Sequence, residues 1–438
     1  MARVALVTGG TRGIGASISK ALKAAGYKVA ANYAGNDEAA QKFKAETGIP
    51  VFKWDVSSFD ACADGVKKVQ AELGPVEVLV NNAGITRDAT MHRMSFEQWN
   101  AVIQTNLSSC FNMSRAVIEG ILEPELPIID PHHHMWDHPG NKYYLDELLT
   151  DVNSGHNIVS TVFLQCFWAY RTSGPEELKP VGETEFVASV AAEAERRGTR
   201  TRVCAGIIGH VDFRLGDRVH EVLQAHAGAG GGRFRGIRQV TARHHRILAS
   251  IATPPMFGLM ADPAFRRGFA WLDRHGLSFD AWLYHTQIDQ LIDLARAFPE
   301  TPIVLNHVGG PLGAGPYRGK RDEVFSAWRA AMKTLASCDN VHVKLGGLAM
   351  VVNGFDFHEN ILPPSSGELA DAWRPWMEAC IEDFGARRCR FESNFPVDKG
   401  MCSYPVLWNG FKRIAAGASA SEKTALFHGT AERFYRLG

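Results

Sequence analysis

The stretch Glu123-Pro124-Glu125-Leu126-Pro127-Ile128-Ile129-Asp130-Pro131-His132-His133-His134 divides the chain and opens its larger part. Two prolines and two acids end a helical stretch there, because proline lacks a backbone N–H and clashes with the preceding turn. Ile128-Ile129-Asp130 then reads as the start of a buried strand, and three histidines close it. A boundary is expected at about residue 123, giving segments 1–122 and 123–438. Composition changes at the same point. Residues 1–122 hold one histidine, His92, of the chain's 17, and eight of the 10 tryptophans lie beyond them.

Downstream, short apolar runs alternate with helical patterns. Expected strands are Ile128–Asp130, Val159–Gln165, Arg202–Ile208, Phe234–Gln239, Ser278–Tyr284, Ile303–Asn306, Val341–Leu345 and Cys389–Ser393. Eight strands with intervening helices predict a (β/α)8 TIM barrel, whose chemistry gathers at the C-terminal ends of the strands. Those ends carry His132-His133-His134, Arg238, His285, Asn306-His307, Lys344 and Glu392-Ser393-Asn394. Histidines at i and i+2 in an extended segment present both imidazoles on one face, as a shared metal requires. Chance alone yields roughly one such pair in a segment this rich in histidine, so position carries the signal. His133 should point away and pack beneath a helix. His244 and His245 read as a solvated face, Trp373 and Trp376 as one buried helical face, and Cys380 and Cys389 as core residues. Gly228–Gly232 reads as a turn with no following helix to make a phosphate cradle.

These residues resemble the amidohydrolase superfamily, in its lactonase-like branch of pyrone-dicarboxylate and sugar lactonases. The stretches that carry the resemblance are Ile129–Asp137, Arg235-Gly236-Ile237-Arg238, Leu277–Asp280, Val304–Pro311, Val343–Leu348 and Phe391–Asp398, spread over Glu125–Leu437. The resemblance implies hydrolysis of a lactone or carboxylic ester, with His132, His134 and His307 lining a metal or oxyanion site. It implies that Arg238 holds a substrate carboxylate through its fork geometry. Asn394 departs from the pattern, since this position ordinarily holds the aspartate that binds metal and takes the proton from water. Glu392, Asp398 or His307 remain as replacements. One divalent metal (Zn or Mn) and a metal-free histidine site both stay open, and no strand-four lysine is present for a two-metal site. Lys344 either orients a substrate carbonyl or pairs with a carboxylate such as Glu392; His285 either lines the pocket or caps the next helix.

Upstream, Arg3–Thr8 reads as a strand, Gly9-Gly10-Thr11-Arg12-Gly13-Ile14-Gly15 as a glycine loop, and Ala16–Ala25 as a helix. That order is the context in which a helix N-terminus takes a pyrophosphate. Further strands are expected at Tyr27–Tyr33, Val51–Trp54 and Val76–Val80, giving a Rossmann-like parallel α/β sheet. With Asp55-Val56, Asn81–Asp88 and Thr105-Asn106, this segment resembles the short-chain dehydrogenase/reductase family, most closely its acetoacetyl-CoA reductases. The resemblance implies cofactor contacts at Gly9, Arg12, Gly13, Ile14, Gly15, Asp55 and Asn82, with Asn106 as the asparagine of the catalytic tetrad. Ala31-Asn32-Tyr33 offers no acid to a ribose 2′-OH, which favours NADP over NAD. The family's chemistry needs a tyrosine with lysine four residues on, and none of the nine tyrosines has one. The segment also stops after four strands. A truncated domain without its proton donor, at most a residual NADP binder with an exposed sheet edge, is therefore expected.

Length and composition agree with a globular chain of one to three domains. The 438 residues are 45% hydrophobic and 21% charged, and 47 Lys plus Arg balance 47 Asp plus Glu. A zero balance supplies no general field for nucleic acid or membrane. Eight cysteines without a CxxC pair read as reduced thiols, and neither a membrane span nor a signal peptide is evident, so a cytoplasmic protein is expected. The expected partner is a small lactone or carboxylate, and a homo-oligomer is compatible with the sequence. The rival readings are an NADP-dependent 3-oxoacyl or acetoacetyl-CoA reductase and a non-catalytic binder of small carboxylates.

Overall fold

The computed structural model describes residues 3–74, 76–118, 120–247, 254–360 and 363–438. It separates into two compact units, Met1–Gly120 and Ile121–Gly438.

In the first unit, β1 (Val4–Val7), β2 (Lys28–Tyr33), β3 (Val51–Lys53) and β4 (Val76–Val80) form a parallel sheet in the order β3-β2-β1-β4. Alternate residues of the central strands go to opposite faces. Val4, Leu6 and Ala30 pack with Trp54, Val66 and Met113, while Ala5, Val7, Val29 and Ala31 pack with Phe43 and Ile49. β4 is only half-buried along its whole length, and among the described residues β1 is its sole strand partner. Phe96, Trp99, Leu107 and Phe111, on or between the helices that follow it, are 50% to 75% exposed.

In the second unit, β5 (Pro127–His133) is followed by an antiparallel hairpin, β6 (Trp136–His138) and β7 (Asn141–Tyr143). Seven more strands complete a parallel eight-stranded sheet with β5: β8 (Asn157–Leu164), β9 (Arg202–Gly209), β10 (Phe234–Ile237), β11 (Ser278–Ala281), β12 (Ile303–Leu305), β13 (Val341–Leu345) and β14 (Cys389–Phe391). The sheet curls into a barrel, which closes just beyond β14, where Asn394 N donates to His132 O at 2.9 Å and His134 N donates to Phe395 O at 2.8 Å. Asp130 reinforces the seam by accepting from Ser393 N, Ser393 Oγ and Tyr404 OH at 3.0, 2.6 and 2.9 Å. Burial nevertheless pushes its carboxyl up to about 6.

Strand interiors alternate as the pleat requires. Ile129, Val162, Leu164, Ile208 and Val304 form one cluster with Phe434, Tyr435 and Leu437 of the C-terminal segment, whereas Ile128, Phe163 and Ile207 belong to the cluster shared with the helices. The helix Ser366–Phe384 opens on a capping box between Ser365 and Glu368 and buries Trp373 and Trp376. Cys380 and Cys389 are fully buried, and Cys389 Sγ donates to Cys380 O. Several expected strands are too long. β10 stops at Ile237, β11 at Ala281 and β14 at Phe391. Val240, Trp282 and Tyr284 extend the apolar runs, but they form a separate cluster with Leu312 instead of continuing the ladder. Arg238 and Glu392 consequently stand just past the strands, not within them, and His285 begins a separate helical turn beyond β11.

Candidate functional site

Strand ends converge on His132, His134, His307, Lys344, Arg238, Asp280 and Glu392, all 6% exposed or less. Glu392 is the hub. Its Oε1 lies 2.7 Å from His307 Nδ1 and accepts from His307 N at 3.1 Å, and its Oε2 lies 2.5 Å from His132 Nδ1. Lys344 Nζ sits 2.7 Å from Asp280 Oδ1, 3.3 Å from His132 Nδ1 and 3.9 Å from Glu392 Oε2. Asp280 also accepts from Asn306 Nδ2 at 3.1 Å and Tyr435 OH at 2.9 Å. Two cations, Arg238 and Lys344, thus face two carboxylates.

These partners define the histidine tautomers. The close carboxylate requires the proton of His132 on Nδ1, and Arg238 Nη1 donates to its Nε2 at 3.3 Å. His134 Nδ1 donates to the Leu164 carbonyl at 2.8 Å, so its Nε2 is bare as well. The two bare Nε2 atoms face each other at 3.3 Å. Burial holds both imidazoles well below the usual histidine range, with Lys344 adding to the effect at His132 and Arg238 at His134. Opposed lone pairs on neutral imidazoles are a donor set that a divalent cation fits. Glu392 is committed to the opposite side of two rings, the place of a carboxylate that orients histidines. His307 is likewise lowered by burial, which outweighs the opposing pull of Glu392. Its ring lies 4.6 Å from that of His132 and edge-on to Trp282 at 4.7 Å. Among the described residues its Nε2 has no hydrogen-bond partner.

The backbone is bent to produce this arrangement. His307, Val308 and Asn394 have φ of 56°, 46° and 56°, a left-handed conformation that costs a side chain about 1–3 kcal/mol. Gly347 makes room: a Cβ there would stand 2.1 Å from His307 Nδ1.

Other expected residues are placed differently. Asn394 Nδ2 donates to Asp398 Oδ1 at 2.8 Å, and burial drives the Asp398 carboxyl well above its usual range. Arg238 directs Nε and Nη2 to Gln165 and, among the described residues, forms no ion pair with a carboxylate. His285 lies apart from the cluster; its Nδ1 accepts from Leu312 N at 3.2 Å and its ring meets Tyr317. His133 points away, as expected, but against strands and not a helix, toward Thr161, Phe163 and Cys204. His244 bonds Arg246 N and Tyr317 OH, and His245 stacks on Phe257. Asp280, Gln165, Gly347 and Tyr435 were not singled out by sequence. An acid inside the apolar run Ser278-Phe279-Asp280-Ala281 was a signal for the first; Tyr435 offered none.

In the first unit, Gly9 and Gly13 have positive φ of 61° and 52°, and a Cβ on Gly15 would meet Gly9 O at 2.2 Å. Asn82 ties β4 to this turn by donating to Thr8 O at 2.9 Å. Arg12 and Ile14 are exposed beside it. Asp55 accepts from Ser57, and Asn106 exchanges hydrogen bonds with the backbone of Ile85.

Fold and site together define a parallel (β/α)8 barrel with a histidine–carboxylate centre at its strand ends, preceded by a Rossmann-like sheet. The chain belongs to the amidohydrolase family, whose family model matches residues 129–437. Residues 3–125 match the short chain dehydrogenase model. The uncharacterized protein y4mH of Sinorhizobium fredii is 35% identical over 335 residues, covering 72% of this chain and 99% of that protein. Acetoacetyl-CoA reductases of Shinella zoogloeoides and Rhizobium meliloti are 69% and 67% identical over 121 residues, 28% of this chain. The chain spans half the length of those two reductases, 50% of each. An amidohydrolase from Burkholderia multivorans, solved with bound zinc, shares the fold at TM-score 0.55 and 24% identity, over 71% of this chain and 99% of that one. No helix among the described residues is long and apolar enough to cross a membrane.

Proposed function

We propose that the barrel hydrolyses a lactone or carboxylic ester by attack of water on the carbonyl, with His307 as the base. The observation that carries this reading is the His307–Glu392 pair. Glu392 accepts the Nδ1–H hydrogen bond and so leaves Nε2 without a proton, and burial keeps the ring neutral and able to accept one. After transfer, the adjacent carboxylate stabilises the imidazolium. The other replacements for the missing strand-end aspartate are less suited. Glu392 already serves two histidines, and Asp398, raised well above the usual carboxylate range by burial, is engaged by Asn394 Nδ2. The guanidinium of Arg238, beside His132 Nε2, is placed to stabilise negative charge developing on the carbonyl oxygen. Lys344 is held by Asp280 and sets the charge behind His132. A divalent metal, held by Nε2 of His132 and His134, would supply Lewis-acid polarisation or activation of the nucleophile.

The test is acid release from a panel of lactones, with and without a chelator, on wild type and His307→Asn. Loss of the base should lower turnover by about 10²–10⁴-fold. Full activity in the variant would remove His307 from this role, and no turnover by wild type on any lactone would leave the carboxylate-binder reading ahead. A second reading concerns the first unit alone. Its strand, glycine turn and helix support residual NADP binding without reduction, because the tyrosine–lysine pair is absent.

A further inference from the structure

We propose that a cavity at the floor of the barrel binds a compact phosphate anion, pyrophosphate or a small phosphate monoester, through Arg202, Arg233 and Arg235. The cavity measures ≈ 330 Å³, and all three arginines are on its wall. That volume is within the ~300–1,000 Å³ typical of small-molecule sites. Arg202 begins β9 and Arg233 directly precedes β10, so the cavity lies at the opposite end of the strands from the histidine centre. Binding there is independent of hydrolysis.

Charge identifies the ligand. Over the whole chain 47 basic side chains balance 47 acidic ones, but at this place they do not. Glu195 is the one acidic side chain on the wall, and Arg233 Nη2 pairs with it. Gly438, also on the wall, makes no ion pair with the arginines. Arg202 and Arg235 form no ion pair among the described residues, and neither does Arg436, which is near enough to repel Arg235. Burial first, then Arg436, Arg202 and Arg233, hold the Arg235 guanidinium below its usual range. Its Nη1 donates to the Gly232 and Phe234 carbonyls at 2.6 and 3.1 Å. Its Nε is buried without a hydrogen-bond partner, and its Nη2 has none among the described residues. A cation left so poorly compensated gains from an incoming anion. Three unbalanced guanidinium groups exceed the single charge of a carboxylate. A phosphate monoester brings about −1.5 to −2 near pH 7 with three strong acceptor oxygens, and guanidinium forks match it.

The wall limits the rest of the ligand. Its lining includes no aromatic ring on which a nucleobase could stack, and its apolar side chains are alanine and valine only. Thr199 and Thr201 spend their hydroxyls on the Thr201 and Ile158 carbonyls at 2.9 and 2.7 Å, which leaves the arginines as side-chain donors. Gly231 and Gly232, also on the wall, have φ of 55° and 78°, and their amide N–H groups meet no acceptor among the described residues. Glycine turns of this kind form the concave backbone that oxyanions favour. The sequence denies this turn a following helix; arginine side chains take that helix's place.

The experiment is calorimetric titration of the full chain, first dialysed free of metal, with sodium pyrophosphate, sodium phosphate and sodium acetate at one ionic strength. Pyrophosphate and phosphate should bind saturably, and acetate at least about tenfold more weakly. Arg202→Gln and Arg235→Gln should each weaken pyrophosphate about tenfold or more, since one lost charge-assisted bond is equivalent to that factor. Arg202→Lys, which keeps the charge and loses the fork, should fall between. Arg12→Glu, at the glycine turn of the first unit, should leave this binding unchanged. Denaturant unfolding followed by tryptophan fluorescence checks that each variant is folded, and Arg202, an exposed residue, decides the matter if Arg235→Gln is not. Absence of saturable pyrophosphate binding in wild type, equal affinity for acetate, or binding lost in Arg12→Glu but kept in folded Arg202→Gln overturns the proposal.

Discussion

Replacing Glu392 by glutamine should destabilise the barrel by about 3–5 kcal/mol, the usual cost of breaking a buried ion pair from one side. The isostere keeps shape and removes charge. Its amide oxygen can still accept from His307 Nδ1, but its NH2 then occupies the position 2.5 Å from His132 Nδ1, donor against donor. The close charged contact with His132 is lost, about 1.5–3 kcal/mol if it is equivalent to a hydrogen bond to a charged group. The Lys344 ammonium, 3.9 Å away, loses an attraction of about 4 kcal/mol at an effective dielectric near 20, although Asp280 at 2.7 Å still holds it. Relief of the carboxylate's own desolvation offsets part of the sum, which brings the total into the stated range. Asp398→Asn is the internal control. Burial raises that carboxyl well above its usual range, so its charged form contributes less to folding, and the substitution should cost less than Glu392→Gln. The assay is denaturant unfolding followed by tryptophan fluorescence, which reports mainly on the barrel because it contains eight of the 10 tryptophans. Zinc affinity, measured by competition with a chelating dye, should fall about 10–100-fold in the same variant. If Glu392→Gln proves no more destabilising than Asp398→Asn and binds zinc as wild type does, Glu392 is not the hub described here.

Gly347→Ala should lower turnover by one to two orders of magnitude, because its Cβ would stand 2.1 Å from His307 Nδ1 at a φ of +66°, displacing the ring; turnover within twofold of wild type would refute this. Stability should fall as pH drops below the ordinary histidine range. His226 is buried and pushed down to about 4, so the unfolded chain binds its proton first and about 3 kcal/mol present above pH 6.5 is lost as pH approaches 4. The decline in unfolding free energy between pH 7 and 4.5 should be shallower in His226→Gln, whatever its absolute stability, and equal slopes would contradict the assignment. NADPH emission should change saturably on titration with the full chain and respond several-fold more weakly in Arg12→Glu, since Arg12 is exposed at the helix N-terminus; no saturable change in wild type ends the nucleotide reading.

Local chemistry by itself determined much of this protein. Mostly apolar runs of three to seven residues placed every barrel strand, because a strand buried on both faces is rich in apolar residues. The prolines at 124 and 127 marked the start of the barrel segment, and the glycine loop between Val7 and Ala16 marked the nucleotide-type turn. His132, His134 and His307 were legible because each closes a strand. Tertiary structure alone decided what those residues do. Glu392 reaches His307 across 85 positions and His132 across 260, Tyr435 reaches Asp280 across 155, and Arg238 is withdrawn to Gln165 across 73. Sequence spacing holds no record of such pairs. They arise when eight strands close with particular registers and bulges, and a change of one residue in register would send each side chain to the opposite face.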